Sequence, residues 1–183
     1  ELLRLTDSID EALAWITART GKWFCWIHLW DPDAAYAPPE PYLTQYAKDP
    51  YSGEAAYVDA QLARLFAALR TKGWQGRTVV AITSDHGESL GEHGELTHSY
   101  FAYNSTLHVP LILAGPGIKA GRIRDNVAHI DLFPTACELL GVEPPDKLQG
   151  VSLVARLNGG APPPPPPSYI ESLAPDFNTG CAP

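Results

Sequence analysis

The chain has 183 residues, of which 45% are hydrophobic and 19% charged, enough apolar material for a globular domain with a core of its own. The formal net charge is -8 and no basic run occurs, which argues against nucleic acid as a partner, because phosphate recognition needs clustered Lys and Arg. No apolar run is long enough to span a bilayer as a helix.

In chain order, residues 7–19 predict a helix: Asp7 or Ser8 can cap it, and Ile9, Leu13 and Ile16 share a face. The nearly continuous apolar run Trp23 to Trp30 predicts a buried strand. From Asp31 to Pro50 the chain is rich in Pro and Tyr and must be irregular. A long amphipathic helix follows over Gly53 to Thr71, with Tyr57, Val58, Leu62, Leu65, Phe66 and Leu69 as its apolar stripe and Gly73 as its stop. Glu54 and Asp59 read as its solvated face. Thr78 to Thr83 is a second buried strand, running straight into Ser84-Asp85-His86-Gly87. Val109 to Ala114 is a third, stopped by Gly115-Pro116-Gly117, and Asp131 to Leu140 is a helix ended by Gly141. Six consecutive prolines within 161–167 demand an extended surface link. Strands alternating with helices predict an α/β domain with a mixed, largely parallel sheet flanked by helices. The division expected is residues 1–160 as the domain and 161–183 as a Pro-rich link and C-terminal extension.

The cysteines, Cys25, Cys137 and Cys181, make neither a disulfide framework nor a C-x-x-C pair. Cys25 and Cys137 sit in apolar stretches and read as core residues. The chain begins at Glu1 and contains no Met, so the parent protein is expected to continue upstream.

The stretch that carries chemistry is Ser84-Asp85-His86-Gly87-Glu88, followed by His93 and His98. A buried strand delivers Asp85 and His86 to its C-terminal end, where open α/β sheets bind ligands. Asp and His are both good metal ligands, and Gly87 lets the chain turn sharply beside them. Taken alone, the pair reads equally as a helix cap beside a surface histidine.

The order of the motifs is more specific. Thr83-Ser84-Asp85-His86-Gly87-Glu88, then Gly91-Glu92-His93-Gly94, then Val109-Pro110-Leu111-Ile112 resembles the sulfatase family of the alkaline phosphatase superfamily. His28-Leu29-Trp30-Asp31-Pro32 with Tyr36 and Pro38-Pro39 is similar to its histidine-bearing strand and Pro-rich loop. Asp131-Leu132-Phe133-Pro134-Thr135 resembles its late D-x-x-P-T helix, and Gly150-Val151-Ser152-Leu153 its G-x-S-L turn. The resemblance covers about Trp23 to Leu157 and implies the C-terminal, incomplete portion of an alkaline-phosphatase/sulfatase-like catalytic domain.

The resemblance implies that Asp85 and His86 are metal ligands for one divalent ion, Ca2+ or Mn2+/Mg2+, acting as Lewis acid and template. It further implies that His98 contacts the departing ester oxygen or the anionic head, and that His28 is a second such group or the general acid. His93 shapes its loop or orients His86. His108 and His129 read as packing or surface residues, and Asp131 as a helix cap. The family commonly has a histidine where this chain has Asp33. Its nucleophile, a formylglycine made from C-x-P-x-R or S-x-P-x-R, has no motif here, and Cys181-Ala182-Pro183 lacks the Arg. Formylglycine is therefore expected outside this chain, and the chain alone is expected to bind metal weakly without turnover, since two ligands cannot satisfy an ion that takes four or more.

Three functions follow for the parent protein. The first is hydrolysis of sulfate esters, small or glycan. The second is phosphodiester or phosphonate hydrolysis, or phosphoryl-group transfer, within the same superfamily. The third is a non-catalytic binding module. Asp85-His86 with His98 argues against the third, and the missing nucleophile argues for it. The resemblance favours a periplasmic or extracellular setting, although cytoplasmic members exist. Oligomeric state is not readable from the residues.

Overall fold

The structure is a computed structural model that describes residues 5–98, 100–160 and 167–172. The proline run at 162–166 and the end around Cys181 lie outside the described residues. The chain divides into two compact units, Glu1–Gly76 and Arg77–Pro183.

The first unit is helical. Helix α1 (Leu5–Thr17) buries Leu5, Ile9, Ala12 and Ile16, a spacing of three and four residues that makes one stripe. That stripe packs on α3 (Pro50–Thr71), which buries Leu65 and Leu69. The contact is edged by a Thr6–Tyr57 hydrogen bond and an Arg64–Asp10 ion pair. A single turn, α2 (Tyr42–Gln45), interrupts the Pro-rich stretch and also packs on α3. Helix α3 starts earlier than its apolar stripe suggests. Asp49 caps it by accepting the Ser52 N–H at 3.1 Å, and Pro50 occupies the first turn, where its missing N–H costs nothing. Its end is as expected: Gly73 has φ 67° and the Trp74 N–H reaches the Leu69 carbonyl at 2.8 Å.

Residues 23–30 correct the expectation of a buried strand. They alternate half-buried and exposed, with Trp26 75% exposed, and form no ladder among the described residues. The apolar, β-favouring residues suit a strand, but a strand needs a neighbour, and the regular elements described in this unit are all helices. Cys25 is half-buried, and desolvation raises its thiol pKa.

The second unit holds β1 (Val80–Thr83) and β2 (Leu111–Ala114), with α4 (Asn104–Leu107) between them. The strands pair antiparallel, Val80 opposite Ala114 and Thr83 opposite Leu111. The largely parallel pairing expected from alternating elements is thus not seen in the described pair. A parallel return needs a helical crossover of a dozen or more residues, and the link from β1 to β2 carries only the one-turn α4 as α-helix. Helix α5 (Leu132–Leu140) follows a short 3-10 turn at His129–Asp131 and ends at Gly141, φ 65°. Helix α6 (Val154–Leu157) completes the unit.

The two late motifs form one hydrogen-bonded core. Asp131 is buried, and its carboxylate accepts the Ala128 N–H at 2.9 Å and the Val151 N–H at 2.8 Å. Its side chain therefore caps the preceding turn and anchors the Gly150-to-Leu153 segment, and does not cap α5. Thr135, 1% exposed, donates to the Asp131 carbonyl and accepts the Leu153 N–H at 2.9 Å. Gly150 has no room for a side chain: a Cβ there would lie 2.0 Å from the Ile130 carbonyl oxygen.

Candidate metal-binding and catalytic residues

Strand β1 ends at Thr83, and the next three residues are held by short bonds. The Ser84 hydroxyl donates to the His86 carbonyl at 2.6 Å, and the Asp85 carboxylate accepts the His86 N–H at 3.1 Å. Gly87 then packs onto α4. Its N–H donates to the Thr106 carbonyl at 2.8 Å, and a Cβ would lie 2.1 Å from the Ser105 carbonyl oxygen. Only glycine fits that approach. Ser89, fully buried, bonds the Ser105 hydroxyl at 3.0 Å.

This anchoring leaves Asp85 and His86 presented side by side. The Asp85 side chain is 68% exposed. His86 Nδ1 lies 2.9 Å from the Gly87 carbonyl. A carbonyl only accepts, so Nδ1 donates to it, and Nε2 is the ring nitrogen that a metal ion would use. That Nε2 lies 3.8 Å from Asp85 Oδ1. Ligand atoms about 2 to 2.5 Å from a divalent ion stand somewhat closer together than this, so a small side-chain movement brings both onto one ion. The donor set, one carboxylate oxygen and one imidazole nitrogen, suits Mn2+ or another transition ion better than Ca2+. It supplies two of the four to eight ligands that such ions take.

His98 joins this pair. Its ring stacks on that of His86, centroids 3.8 Å apart and planes 26° from parallel. Its Nδ1 lies 3.3 Å from a Glu88 carboxylate oxygen, and Glu88 is almost wholly buried, its side chain 5% exposed. The carboxylate can only accept, which fixes the ring with Nε2 as its other polar atom. Glu88 was visible in the motif but went unassigned; an acidic residue two positions after the metal-type histidine was its signal. His93 sits apart from these rings. It takes φ 58° and stacks on Tyr103 at 4.0 Å, so it shapes the loop. Glu95 ties the same loop by accepting the Phe101 N–H at 3.0 Å. His108 caps nothing with its side chain and is exposed, but His129 does more than expected: its Nε2 lies 2.8 Å from the Ser84 carbonyl.

In the first unit, His28 is exposed on the 23–30 segment. The loop after it is held by Glu54, which corrects the expectation that this residue lies on a solvated helix face. Glu54 is 2% exposed and accepts the Ala37 N–H at 2.6 Å and the Asp33 N–H at 3.2 Å. Desolvation, followed by the charge of Asp31, raises its pKa against the effect of those bonds. Asp31 is raised as well, by desolvation and then by Asp33. Asp33 accepts the Ala34 N–H at 2.8 Å, so part of its charge is spent within its own loop. Pro38 is buried and closes the loop on Gly53, where a Cβ would lie 2.9 Å from the proline ring.

Residues 4–142 match the model of the Sulfatase family. Arylsulfatase K of Xenopus laevis is 38% identical over 109 residues, which are 59% of this chain and 20% of that protein. Among solved structures, a phosphonate monoester hydrolase of Agrobacterium radiobacter is 25% identical with a TM-score of 0.78, covering 85% of this chain and 42% of that one. A 2-O GAG sulfatase is 31% identical with a TM-score of 0.58, covering 70% of this chain and 28% of that one. The α/β, alkaline-phosphatase/sulfatase-like fold class expected from the sequence stands, and the chain covers a part of it. It spans about a fifth of the length of the curated relatives it matches.

Proposed function

This chain belongs to the sulfatase family, and we propose that it contributes part of the catalytic centre of a metal-dependent sulfate ester hydrolase. The observation that carries the proposal is the exit from β1. Asp85 and His86 leave the strand together, and the Gly87 carbonyl accepts from His86 Nδ1, so that Nε2 faces Asp85 Oδ1 at 3.8 Å. A divalent ion held there would draw charge from a sulfate oxygen as Lewis acid. The nucleophile, a formylglycine, and the remaining ligands are supplied in this proposal by sequence that the 183 residues do not contain.

The chain's own residues then have separate tasks. Asp85 brings a negative charge that would offset the cation, and its side chain is 68% exposed although Oδ1 accepts the His86 N–H. His86 brings an imidazole whose ring is oriented by the backbone. His98, held by Glu88 through Nδ1, presents Nε2, which as part of an imidazolium would donate a hydrogen bond to an anionic ester oxygen as charge develops on it. For His28 the family resemblance supports the role of general acid. Relatives that act on sulfated glycans, such as the 2-O GAG sulfatase, support a glycan or aryl sulfate as substrate.

The likeness to a phosphonate monoester hydrolase over 85% of the chain favours a second reading, hydrolysis of phosphonate or phosphate monoesters at the same centre. The test is an assay of the protein that carries this chain on 4-nitrophenyl sulfate and on a 4-nitrophenyl phosphonate ester. The sulfatase reading expects the sulfate to be the better substrate, and Asp85→Asn to lower its turnover about a hundredfold or more, as weakened hold on a Lewis-acid ion worth several kcal/mol would do. Faster turnover of the phosphonate would select the second reading. Full activity in Asp85→Asn would sink both.

A further inference from the structure

Two motifs of the second unit, the D-x-x-P-T helix start and the G-x-S-L turn, take no direct part in the proposed chemistry, yet the hydrogen bonds lead from them to the metal-type pair. His129 Nε2 lies 2.8 Å from the carbonyl of Ser84, the residue directly before Asp85. A carbonyl accepts, so His129 is the Nε2–H tautomer and donates. The Thr83 hydroxyl also donates to this carbonyl, at 3.3 Å, and it lies 3.4 Å from the His129 ring nitrogen.

We infer that His129 is a positioning residue for the metal-binding pair: it fixes the Ser84–Asp85 peptide plane and so sets where the Asp85 carboxylate stands relative to His86 Nε2. The inference rests on the reading of Asp85 and His86 as metal ligands. The peptide plane before Asp85 determines the direction in which its Cα–Cβ bond leaves the strand. On the far side of the pair, Gly87 is pinned to the Thr106 carbonyl at 2.8 Å. His129 is the pin on the near side. The turn that carries it is tied by hydrogen bonds. His129 opens the 3-10 turn that Asp131 holds by accepting the Ala128 and Val151 N–H groups, and Thr135 with Leu153 locks the layer beneath. The two late motifs thus form a rigid base, and His129 is the point where that base touches the site.

The test uses the protein that carries this chain, freed of metal, with Mn2+ alone as the probe and free Mn2+ read by electron paramagnetic resonance. His129→Phe should weaken binding about three- to tenfold, the size of one net hydrogen bond. His129→Gln, whose amide N–H can reach the same carbonyl, should return the affinity to within about twofold of wild type. Thermal melting of the two variants should agree, because a structural role alone would move both melting and affinity and would not be rescued selectively. His129→Phe binding Mn2+ as tightly as wild type would overturn the inference, as would equal weakening by Phe and Gln. Should a variant fail to fold, the wild-type imidazole 15N spectrum still decides: an Nε2–H tautomer at His129 supports the role, and Nδ1–H refutes it. If the protein that carries this chain, freed of metal, binds no Mn2+ while the His129 tautomer is as expected, the metal reading itself falls, and the positioning role falls with it.

Discussion

Glu54 offers the sharpest test of how the first unit is held together. Its carboxylate is 2% exposed and accepts two backbone N–H groups, from Ala37 at 2.6 Å and Asp33 at 3.2 Å. Hydrogen bonds to a charged acceptor contribute about 1.5–3 kcal/mol each. The longer of the two belongs at the lower end, so the pair contributes roughly 4 kcal/mol before offsets. Against it stand the desolvation that raises the Glu54 pKa and the nearby charge of Asp31. Glu54→Ala removes both acceptors and both penalties, and should destabilise the unit by about 2–3 kcal/mol. Glu54→Gln keeps one carbonyl oxygen but turns an amide N–H toward one of the two backbone donors, so it should still cost about 1–2 kcal/mol. The assay is urea unfolding followed residue by residue with NMR, together with amide exchange at Asp33 and Ala37. Both amides should lose protection, most in Glu54→Ala. Stability within about 0.5 kcal/mol of wild type in both variants, the range of an ordinary surface change, with protection retained, would refute the reasoning.

Other consequences follow from the same geometry. The pKa of Glu54 and that of Asp31 are both raised, so the folded first unit holds protons that the unfolded chain has released. The contribution of these two carboxyls to stability should be fullest below the ordinary carboxylate value, about 4, and should fall as pH rises through the raised values, against the opposite contribution of Asp49, whose bonds from Ser52 lower its pKa; a pH dependence of the urea midpoint that Glu54→Gln leaves unchanged would contradict the assignment. Thr135→Val keeps the shape but strands the Leu153 N–H in the core, for an expected loss of about 1–3 kcal/mol by chemical denaturation. Gly87→Ala would place a methyl 2.1 Å from the Ser105 carbonyl oxygen; the expected result is a displaced 84–89 segment, seen as shifted amide resonances at Asp85 and His86. An unchanged spectrum would show that α4 yields instead.

How much of this was legible beforehand differs from element to element. The Thr78-to-Thr83 run led directly to Asp85 and His86, because a β-branched segment ending in Ser-Asp-His-Gly admits few other local structures. The long helix was legible from its stripe, but its start was not. The stripe begins inside α3, whereas the cap Asp49 and Pro50 precede it. Trp23 to Trp30 gave the composition of a strand and not its environment, since pairing is a property of the neighbour and not of the segment. Glu54 escaped because periodicity assigns a face by composition. A Pro-rich loop that docks backbone donors onto that face has no periodic signal. His129 escaped for a related reason: its partner is a main-chain carbonyl 45 positions away, which side-chain chemistry does not announce.

The central claim, that Asp85 and His86 hold a divalent ion, is tested most directly by following the histidine imidazole nitrogens of this chain by 15N NMR while a diamagnetic ion such as Cd2+ is added. The account predicts that His86 Nε2 shifts while its Nδ1 stays protonated on the Gly87 carbonyl, and that Asp85→Asn weakens the response. A response at His86 Nδ1, or saturation at other histidines with His86 unmoved, would contradict it.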